Sequence, residues 1–96
     1  MHGSDTITIP RRFDYTVSNS FNTVFVALLE TLANTNQTIK LDCAKMEYID
    51  SAGIGLLVMS YKKAQKFGIK IMMINVADSV KDILVMANLQ KLIEIH

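Results

Sequence analysis

Short segments of alternating or continuous apolar residues predict four strands, because a period of two is typical of a half-buried strand. The predicted strands are Thr6–Ile9, Thr38–Cys43, Ile69–Val76 and Lys91–Ile95. Between them, apolar side chains recur at three- and four-residue spacing, which predicts amphipathic helices. The predicted helices are Ser18–Leu32, Ser51–Phe67 and Val80–Met86. The pattern therefore alternates strand and helix from one end of the chain to the other.

This alternation predicts an α/β fold, because a helix-length connection between strands favours parallel pairing and a right-handed crossover. We expect one domain over residues 1–96, with residues 1–5 flexible. It should contain a four-stranded, mostly parallel sheet and three main helices. Ile69–Val76 is the most continuously apolar strand and is expected at the centre of the sheet. Pro10 has no amide proton to donate and favours an edge position for Thr6–Ile9.

The pattern also predicts the ends and the buried faces of the helices. Ser18 is the expected cap of the first helix and Asp78 or Ser79 of the third, since their oxygens accept from free amides. Gly68 and Asn88 are expected to end the second and third helices. The side chains expected to face the core are Phe21, Val24, Phe25, Leu28, Leu29, Leu32, Ile54, Leu57, Val58, Tyr61, Ala64, Gln65, Val80, Ile83 and Leu84. Those expected to face water are Lys62, Lys63 and Lys66, and the segments expected to be irregular are Arg11–Asp14 and Lys45–Ile49.

Composition narrows the class of protein. The chain is 50% hydrophobic and 20% charged, as in ordinary soluble domains. No apolar run approaches the roughly 18–20 residues of a membrane span. Met1–Thr8 lacks the basic and apolar regions of a secretory signal, so a cytoplasmic location is expected. The net charge is +1 with both signs interspersed, so no nucleic-acid surface is predicted.

Cys43 is the only cysteine in the chain. A single cysteine excludes an internal disulfide and a cysteine-based zinc site. Because Cys43 lies in an apolar, strand-like run, we expect a buried, unreactive thiol.

Ser51 stands where the second predicted helix begins, which raises the question of nucleophilic catalysis. A nucleophile elbow needs glycine two residues before and two residues after the serine. Gly53 satisfies the second requirement, but Ile49 occupies the first position. A histidine base is also required, and the only histidines, His2 and His96, lie at the ends of the chain. Hydrolase chemistry is not predicted.

Gly53 and Gly55 open the same helix and resemble part of a dinucleotide-binding loop. That loop needs a third glycine where this chain has Val58, and no phosphate-loop lysine follows. A small-ligand site at these glycines is therefore only a third interpretation. Carboxylates with metal-ligand spacing are absent from every predicted element, so neither a metal nor a cofactor is predicted. The acidic residues considered are Asp14, Asp42, Glu47, Asp50 and Asp78.

Two interpretations of Ser51 remain open from the residues alone. The serine could simply cap its helix, since serine and aspartate are both preferred there. It could also be a phosphorylation site, because Ala52, Gly53 and Gly55 leave little side-chain bulk around the hydroxyl. Asp50 adjoins it, so a phosphoryl group would concentrate negative charge at one place on the surface.

The segment from Ile49 to Leu57 resembles the signature of STAS domains, especially the bacterial anti-sigma factor antagonists. The resemblance includes three further segments. Phe13-Asp14 resembles the family's residues before the first helix, and Gly68–Ile71 resembles its turn into the next strand. Asn88-Leu89 resembles the family's residues before the last strand. The resemblance extends from Thr6 to Ile95 and implies a STAS-like fold.

The resemblance implies a non-enzymatic partner switch in transcription regulation. In such a switch the unphosphorylated protein binds an anti-sigma factor that is also a serine kinase of the GHKL type. Phosphorylation of the signature serine, here Ser51, blocks binding, and a PP2C-type phosphatase reverses it. The implied partner-binding residues are Asp14, Asp50, Ser51, Ala52, Gly53, Ile54 and Gly55.

This chain differs from the family pattern in three places. It has almost no sequence for the family's extra N-terminal strand, and it stops before the C-terminal helix of many relatives. Arg11-Arg12 replaces the usual Gly-Glu pair. An alternative is therefore a STAS subunit of another bacterial assembly, in biofilm or stress signalling or in a lipid-transport complex. Neither a monomer nor a homo-oligomer is predicted.

Overall fold

The computed structural model describes residues 5–96, so most of the terminus that we predicted to be flexible lies outside the described residues. Asp5 leads directly into the first strand. The strands are β1 (Thr6–Thr8), β2 (Arg12–Phe13), β3 (Thr38–Asp42), β4 (Tyr48–Ile49), β5 (Lys70–Ile74) and β6 (Glu94–Ile95). The helices are α1 (Ser18–Leu32), α2 (Ser51–Lys66) and α3 (Asp78–Met86), with short 3-10 turns at Tyr15–Val17 and Leu89–Lys91.

The main sheet has four strands in the order β1-β3-β5-β6, and every neighbouring pair is parallel. The α/β fold with four parallel strands and three helices is therefore confirmed. β5 lies inside the sheet and β1 at its edge, as the apolar run and Pro10 predicted. The last strand is shorter than predicted, because Leu89–Lys91 forms a 3-10 turn and only Glu94–Ile95 pairs with β5.

The helices cover one face of this sheet. Each strand of the main sheet lies on the same side of the strand before it, in the order β1-β3-β5-β6. Right-handed crossovers between such strands place α1, α2 and α3 on the same face of the sheet. The alternation in β3 agrees with this arrangement, since Ile39 and Leu41 are fully buried while Lys40 is half-buried. The core beneath the helices includes Phe25 and Leu29 of α1. The opposite face carries mostly polar side chains.

A second, two-stranded parallel sheet was missed by the sequence analysis. β2 pairs with β4, with Arg12 opposite Tyr48 and Phe13 opposite Ile49. Both strands contain only two residues, which is too short for any periodicity to be visible. Phe13 and Ile49 point into the core, and Arg12 lies over the Tyr48 ring at 4.3 Å from its centroid.

Several predicted helix ends and faces were wrong. Neither α1 nor α3 has a side-chain cap, because Val17 and Ala77 occupy the cap positions. Gly68 does adopt the left-handed conformation that was predicted for it, and Asn88, which was predicted only to end the third helix, is left-handed as well. Three side chains expected in the core are exposed, namely Val24, Gln65 and Ile83.

Lys63 was expected to face water, but its ammonium donates to the Asn22 side chain at 2.6 Å and is half-buried between α1 and α2. Cys43 is buried as predicted, with 1% of its surface exposed. Burial raises the pKa of its thiol to about 12, so the reactive thiolate is scarce at neutral pH.

Gly53 allows the first turn of α2 to pack directly against β2. A Cβ atom at this position would overlap the carbonyl oxygen of Phe13 and would lie 2.9 Å from the Ile49 Cγ1 atom. Gly55, one half-turn further along α2, faces open space with no atom within 4 Å of a Cβ. Close packing therefore requires glycine at position 53, but it does not require glycine at position 55.

We predict that Gly53→Ala and Gly55→Ala change stability in opposite directions. Overlap with backbone costs roughly 1–3 kcal/mol or more, and Gly53→Ala should lose at least about 1 kcal/mol of unfolding free energy. Gly55→Ala should gain up to about 1 kcal/mol, because alanine is the better helix former. Urea unfolding followed by circular dichroism measures both. Equal effects at the two positions would contradict the close contact at Gly53.

Candidate functional site

The candidate site lies at the carboxyl ends of β2 and β4. Because Phe13 and Ile49 are paired, the residues that follow them, Asp14 and Asp50, leave the small sheet side by side. Each aspartate has an extended backbone and caps the helical turn that follows it. The small sheet thus brings together two chain segments, one leading into the turn before α1 and the other into α2.

Asp50, and not Ser51, is the cap of α2. Its carboxylate accepts a hydrogen bond of 2.9 Å from the Gly53 amide, and its backbone carbonyl accepts from the Ile54 amide. Ser51 already belongs to the helix as its first residue. The interpretation of Ser51 as a helix cap is therefore wrong.

The Ser51 side chain is exposed, and no hydrogen bond among residues 5–96 involves its hydroxyl. Ala52 and Gly55 are exposed beside it, and Met59, four residues further on, is 55% exposed. Residues four apart share one side of a helix. These four residues, which we call the Ser51 face, form an exposed surface without charge along the first two turns of α2.

The other predicted partner-binding residues are less accessible. Gly53 is buried against β2, and Ile54 and Asp50 are half-buried. Asp14 is only 7% exposed. Gly53 and Asp14 therefore shape the site from beneath, whereas Ser51, Ala52 and Gly55 present atoms to an approaching protein.

Asp14 organises the turn before α1. Its carboxylate accepts from the Thr16 hydroxyl at 2.5 Å and from the Thr16 amide at 3.0 Å, and Arg12 lies 3.5 Å away. The hydrogen bonds from Thr16, helped by the charge of Arg12, lower the pKa of the Asp14 carboxyl, although burial opposes them. The ionised form is thus the one that the folded loop stabilises.

An aromatic and cationic rim beside this turn was missed by the sequence analysis. Tyr15 is 73% exposed and Tyr48 is 41% exposed, and Arg12 stacks on Tyr48. Arg11 pairs with Glu47 at 2.7 Å, but both side chains are largely exposed and such a pair adds little stability. The sequence did contain a signal for this rim, because Arg11-Arg12 stands where the family usually has Gly-Glu and supplies both cations.

Nothing in the described structure supports a metal or phosphate site at this location. Among residues 5–96, no group of three His, Cys, Asp or Glu side chains could hold a metal ion. Two cavities of about 460 and 250 Å³ lie elsewhere, and neither is lined by Gly53 or Gly55. The third interpretation, a small-ligand site at these glycines, gains no support. No helix within the described residues combines the length and apolar character needed to span a bilayer.

Comparison with known proteins gives two findings. The family model of the STAS domain matches residues 5–96. A solved structure from Thermotoga maritima, assigned provisionally as an anti-sigma factor antagonist, superposes with a TM-score of 0.76 at 21% sequence identity. The match covers 95% of this chain and 78% of the other, and it shows a shared fold. No curated protein matches the sequence.

We predict that Asp14→Asn reduces stability at pH 7 but much less in acid. A carboxyl whose pKa is lowered by folding stabilises fully above its unfolded pKa of about 3.9, and this contribution disappears as the pH falls through the folded pKa. The loss of unfolding free energy should be measurable at pH 7, because a neutral amide accepts weaker hydrogen bonds from Thr16 than an ionised carboxylate does. It should shrink at a second, acidic pH below the unfolded pKa of about 3.9, as the wild-type carboxylate becomes protonated.

Urea unfolding at the two pH values measures the difference, and Asp82→Asn on the exposed side of α3 is the matched control. A loss at Asp14 that does not change with pH, or an equal loss at Asp82, would contradict the assigned role of the Asp14 carboxylate.

Proposed function

The chain belongs to the STAS domain family, and we propose that it acts as a phosphorylation-regulated partner switch of the anti-sigma factor antagonist type. It would bind its partner while Ser51 is unphosphorylated and release it afterwards, without catalysing a reaction itself. The observation that carries the proposal is the exposed Ser51 hydroxyl, which has no structural role because Asp50 caps the helix.

The position of Ser51 suits a kinase substrate. Its hydroxyl stands on the first turn of α2 beside the small residues Ala52 and Gly55, so another protein can approach it closely. A phosphoryl group there would lie near the positive end of the helix dipole. The cap from Asp50 to Gly53 does not use the hydroxyl and would persist. Phosphorylation would therefore alter the surface while the fold remains intact.

The same modification would disfavour docking. The Ser51 face is uncharged, and a partner that fits it must exclude water from it. A phosphoryl group adds about −1.5 to −2 charges, next to the half-buried Asp50 carboxylate. A partner surface shaped for small neutral residues would meet both bulk and uncompensated negative charge. A change of about 1.4 kcal/mol in binding free energy alters affinity tenfold, which is enough to redirect a competition between partners.

The identity of the partners is carried over from the family resemblance. The proposed partner is an anti-sigma factor that is also a serine kinase of the GHKL type, and a PP2C-type phosphatase would restore the unphosphorylated state. These partners imply a bacterial, cytoplasmic protein that acts in signal transduction and transcription regulation.

One observation favours a different target as the second candidate. Arg12 stacked on Tyr48, together with the exposed Tyr15, gives the loop beside Ser51 a cationic and aromatic character. Relatives with Gly-Glu in place of Arg11-Arg12 lack these cations. The chain would then serve as the STAS subunit of another bacterial assembly, in biofilm or stress signalling or in a lipid-transport complex, without control of a sigma factor.

We predict that Ser51→Ala retains partner binding and cannot be phosphorylated, while Ser51→Glu binds at least about tenfold more weakly. Gln90→Glu, which adds one negative charge at an exposed position in the turn before β6, is the matched control and should bind like the wild type. Calorimetry with the partner that co-purifies from the native cell measures binding. Mass spectrometry of the same material locates the phosphate.

Ser79→Ala controls for kinase selectivity, because Ser79 is also an exposed serine in the first turn of a helix and its removal should leave phosphorylation unchanged. Wild-type affinity in both Ser51 variants, with no phosphate on Ser51, would rule out the proposed switch. A co-purifying membrane ATPase in place of a kinase would favour the second candidate.

A further inference from the structure

The larger cavity, of about 460 Å³, lies at the amino ends of the parallel strands. The first residues of β3 and β5, the last two turns of α2 and the start of β6 surround it. The polar side chains in its lining are Thr38, Tyr61, Gln65, Lys70 and Glu94. Its volume falls in the roughly 300–1,000 Å³ range of small-molecule sites. The Ser51 face lies at the opposite end of α2, so the cavity is separate from the proposed switch.

The cavity exists because β6 pairs with only part of β5. β6 begins at Glu94, opposite Met72, and the residues before Glu94 form a turn instead of a strand. Lys70 and Ile71, the first two residues of β5, therefore have no strand beside them on this side within the described part of the chain.

The Ile71 amide points into this gap. The Met73 carbonyl accepts from the His96 amide at 2.9 Å, so the backbone groups of Met73 face β6. Those of Ile71, two residues earlier, face the same side, because the orientation alternates along a strand. No hydrogen bond within residues 5–96 involves the Ile71 amide, although the residue is only 6% exposed. A buried amide without an acceptor costs free energy, so a ligand that supplies an acceptor here is stabilised.

Two opposite charges flank the amide. Because Met72 lies opposite Glu94, Lys70 and Glu94 stand on the same face of the sheet, with their Cα atoms roughly 8 Å apart by strand geometry. No ion pair within residues 5–96 involves Lys70. One Glu94 oxygen lies 3.1 Å from the His96 ring, which leaves the other oxygen available as an acceptor. The cavity thus offers a cation and an anion with room for a ligand between them.

The cavity wall beside these charges is apolar. Ile69 and Ile71 contribute buried side chains, Met72 is half-buried, and Leu92 is 40% exposed. Exposed apolar surface of this kind gains free energy when a ligand covers it.

We propose that this cavity binds a free amino acid with an apolar side chain. The ligand carboxylate would accept from the Ile71 amide beside the Lys70 ammonium, and the ligand ammonium would donate to Glu94. Its side chain would cover Leu92. A simple anion would leave the Glu94 carboxylate without a counter-charge, and a simple amine would leave the Ile71 amide without an acceptor. A zwitterion complements both ends of the cavity.

Calorimetry with L-leucine tests the proposal. L-leucine should bind with a dissociation constant below about 1 mM. Isocaproate, which lacks the amino group, and isoamylamine, which lacks the carboxylate, should bind at least about tenfold more weakly. The absence of leucine binding, or equal binding of either analogue, would overturn the proposal.

Lys70→Gln and Glu94→Gln should each weaken leucine binding at least about tenfold, because each removes one of the two charges. Both side chains are exposed, so the fold should remain intact. Lys62→Gln, at an exposed position of α2 outside the cavity, is the matched control and should bind like the wild type. Equal affinities in Lys70→Gln and Lys62→Gln would contradict the role assigned to Lys70.

NMR locates the bound leucine in a second measurement. Leucine should shift the Ile71 amide resonance and slow its hydrogen exchange. The Gly53 amide, at the other end of α2, should not respond. Binding heat without a response at Ile71 would place the ligand elsewhere and overturn the proposal.

Discussion

The candidate site depends on the absence of a side chain at Gly53. Any Cβ there would overlap the Phe13 carbonyl oxygen, so only glycine lets the first turn of α2 rest on β2. That contact packs α2 onto the small sheet, in which the pairing of β2 with β4 sets Asp14 beside Asp50. With α2 in this position, Ser51 faces outward. Interior close packing thus determines which atoms reach the surface.

Two buried or half-buried aspartates shape this surface from beneath. The Asp14 carboxylate accepts hydrogen bonds from Thr16 and pairs with Arg12, and the Asp50 carboxylate accepts a hydrogen bond from the Gly53 amide. Both carboxylates thus cap helical turns, and the exposed residues that follow Asp50 on α2, namely Ser51, Ala52 and Gly55, are small and neutral. A single added phosphate changes such a surface more than it would change one that already carries several charges. This contrast links the local folding of the loop to the proposed switch.

The sequence predicted the elements whose pattern is long enough to show a period. β1, β3, β5 and the three helices were placed to within a few residues, and Gly68 was correctly identified as left-handed. β2 and β4 were missed because two residues carry no period. The cap of α2 was left open because serine and aspartate are chemically alike as caps, and only the extended backbone of Asp50 distinguishes them. Val24 and Ile83 lie on the apolar stripe of their helices but are exposed. Periodicity shows which side of a helix is apolar, but it does not show how much of that side a neighbouring element covers.

Hydrogen exchange at the Gly53 amide tests the central claim, that Asp50 caps α2 and leaves the Ser51 hydroxyl free. The exchange rate would be measured by NMR in the wild type, in Asp50→Ala and in Ser51→Ala. The structure predicts that the amide is protected in the wild type and in Ser51→Ala, and that Asp50→Ala accelerates its exchange at least about tenfold. Acceleration in Ser51→Ala, with protection retained in Asp50→Ala, would contradict the account.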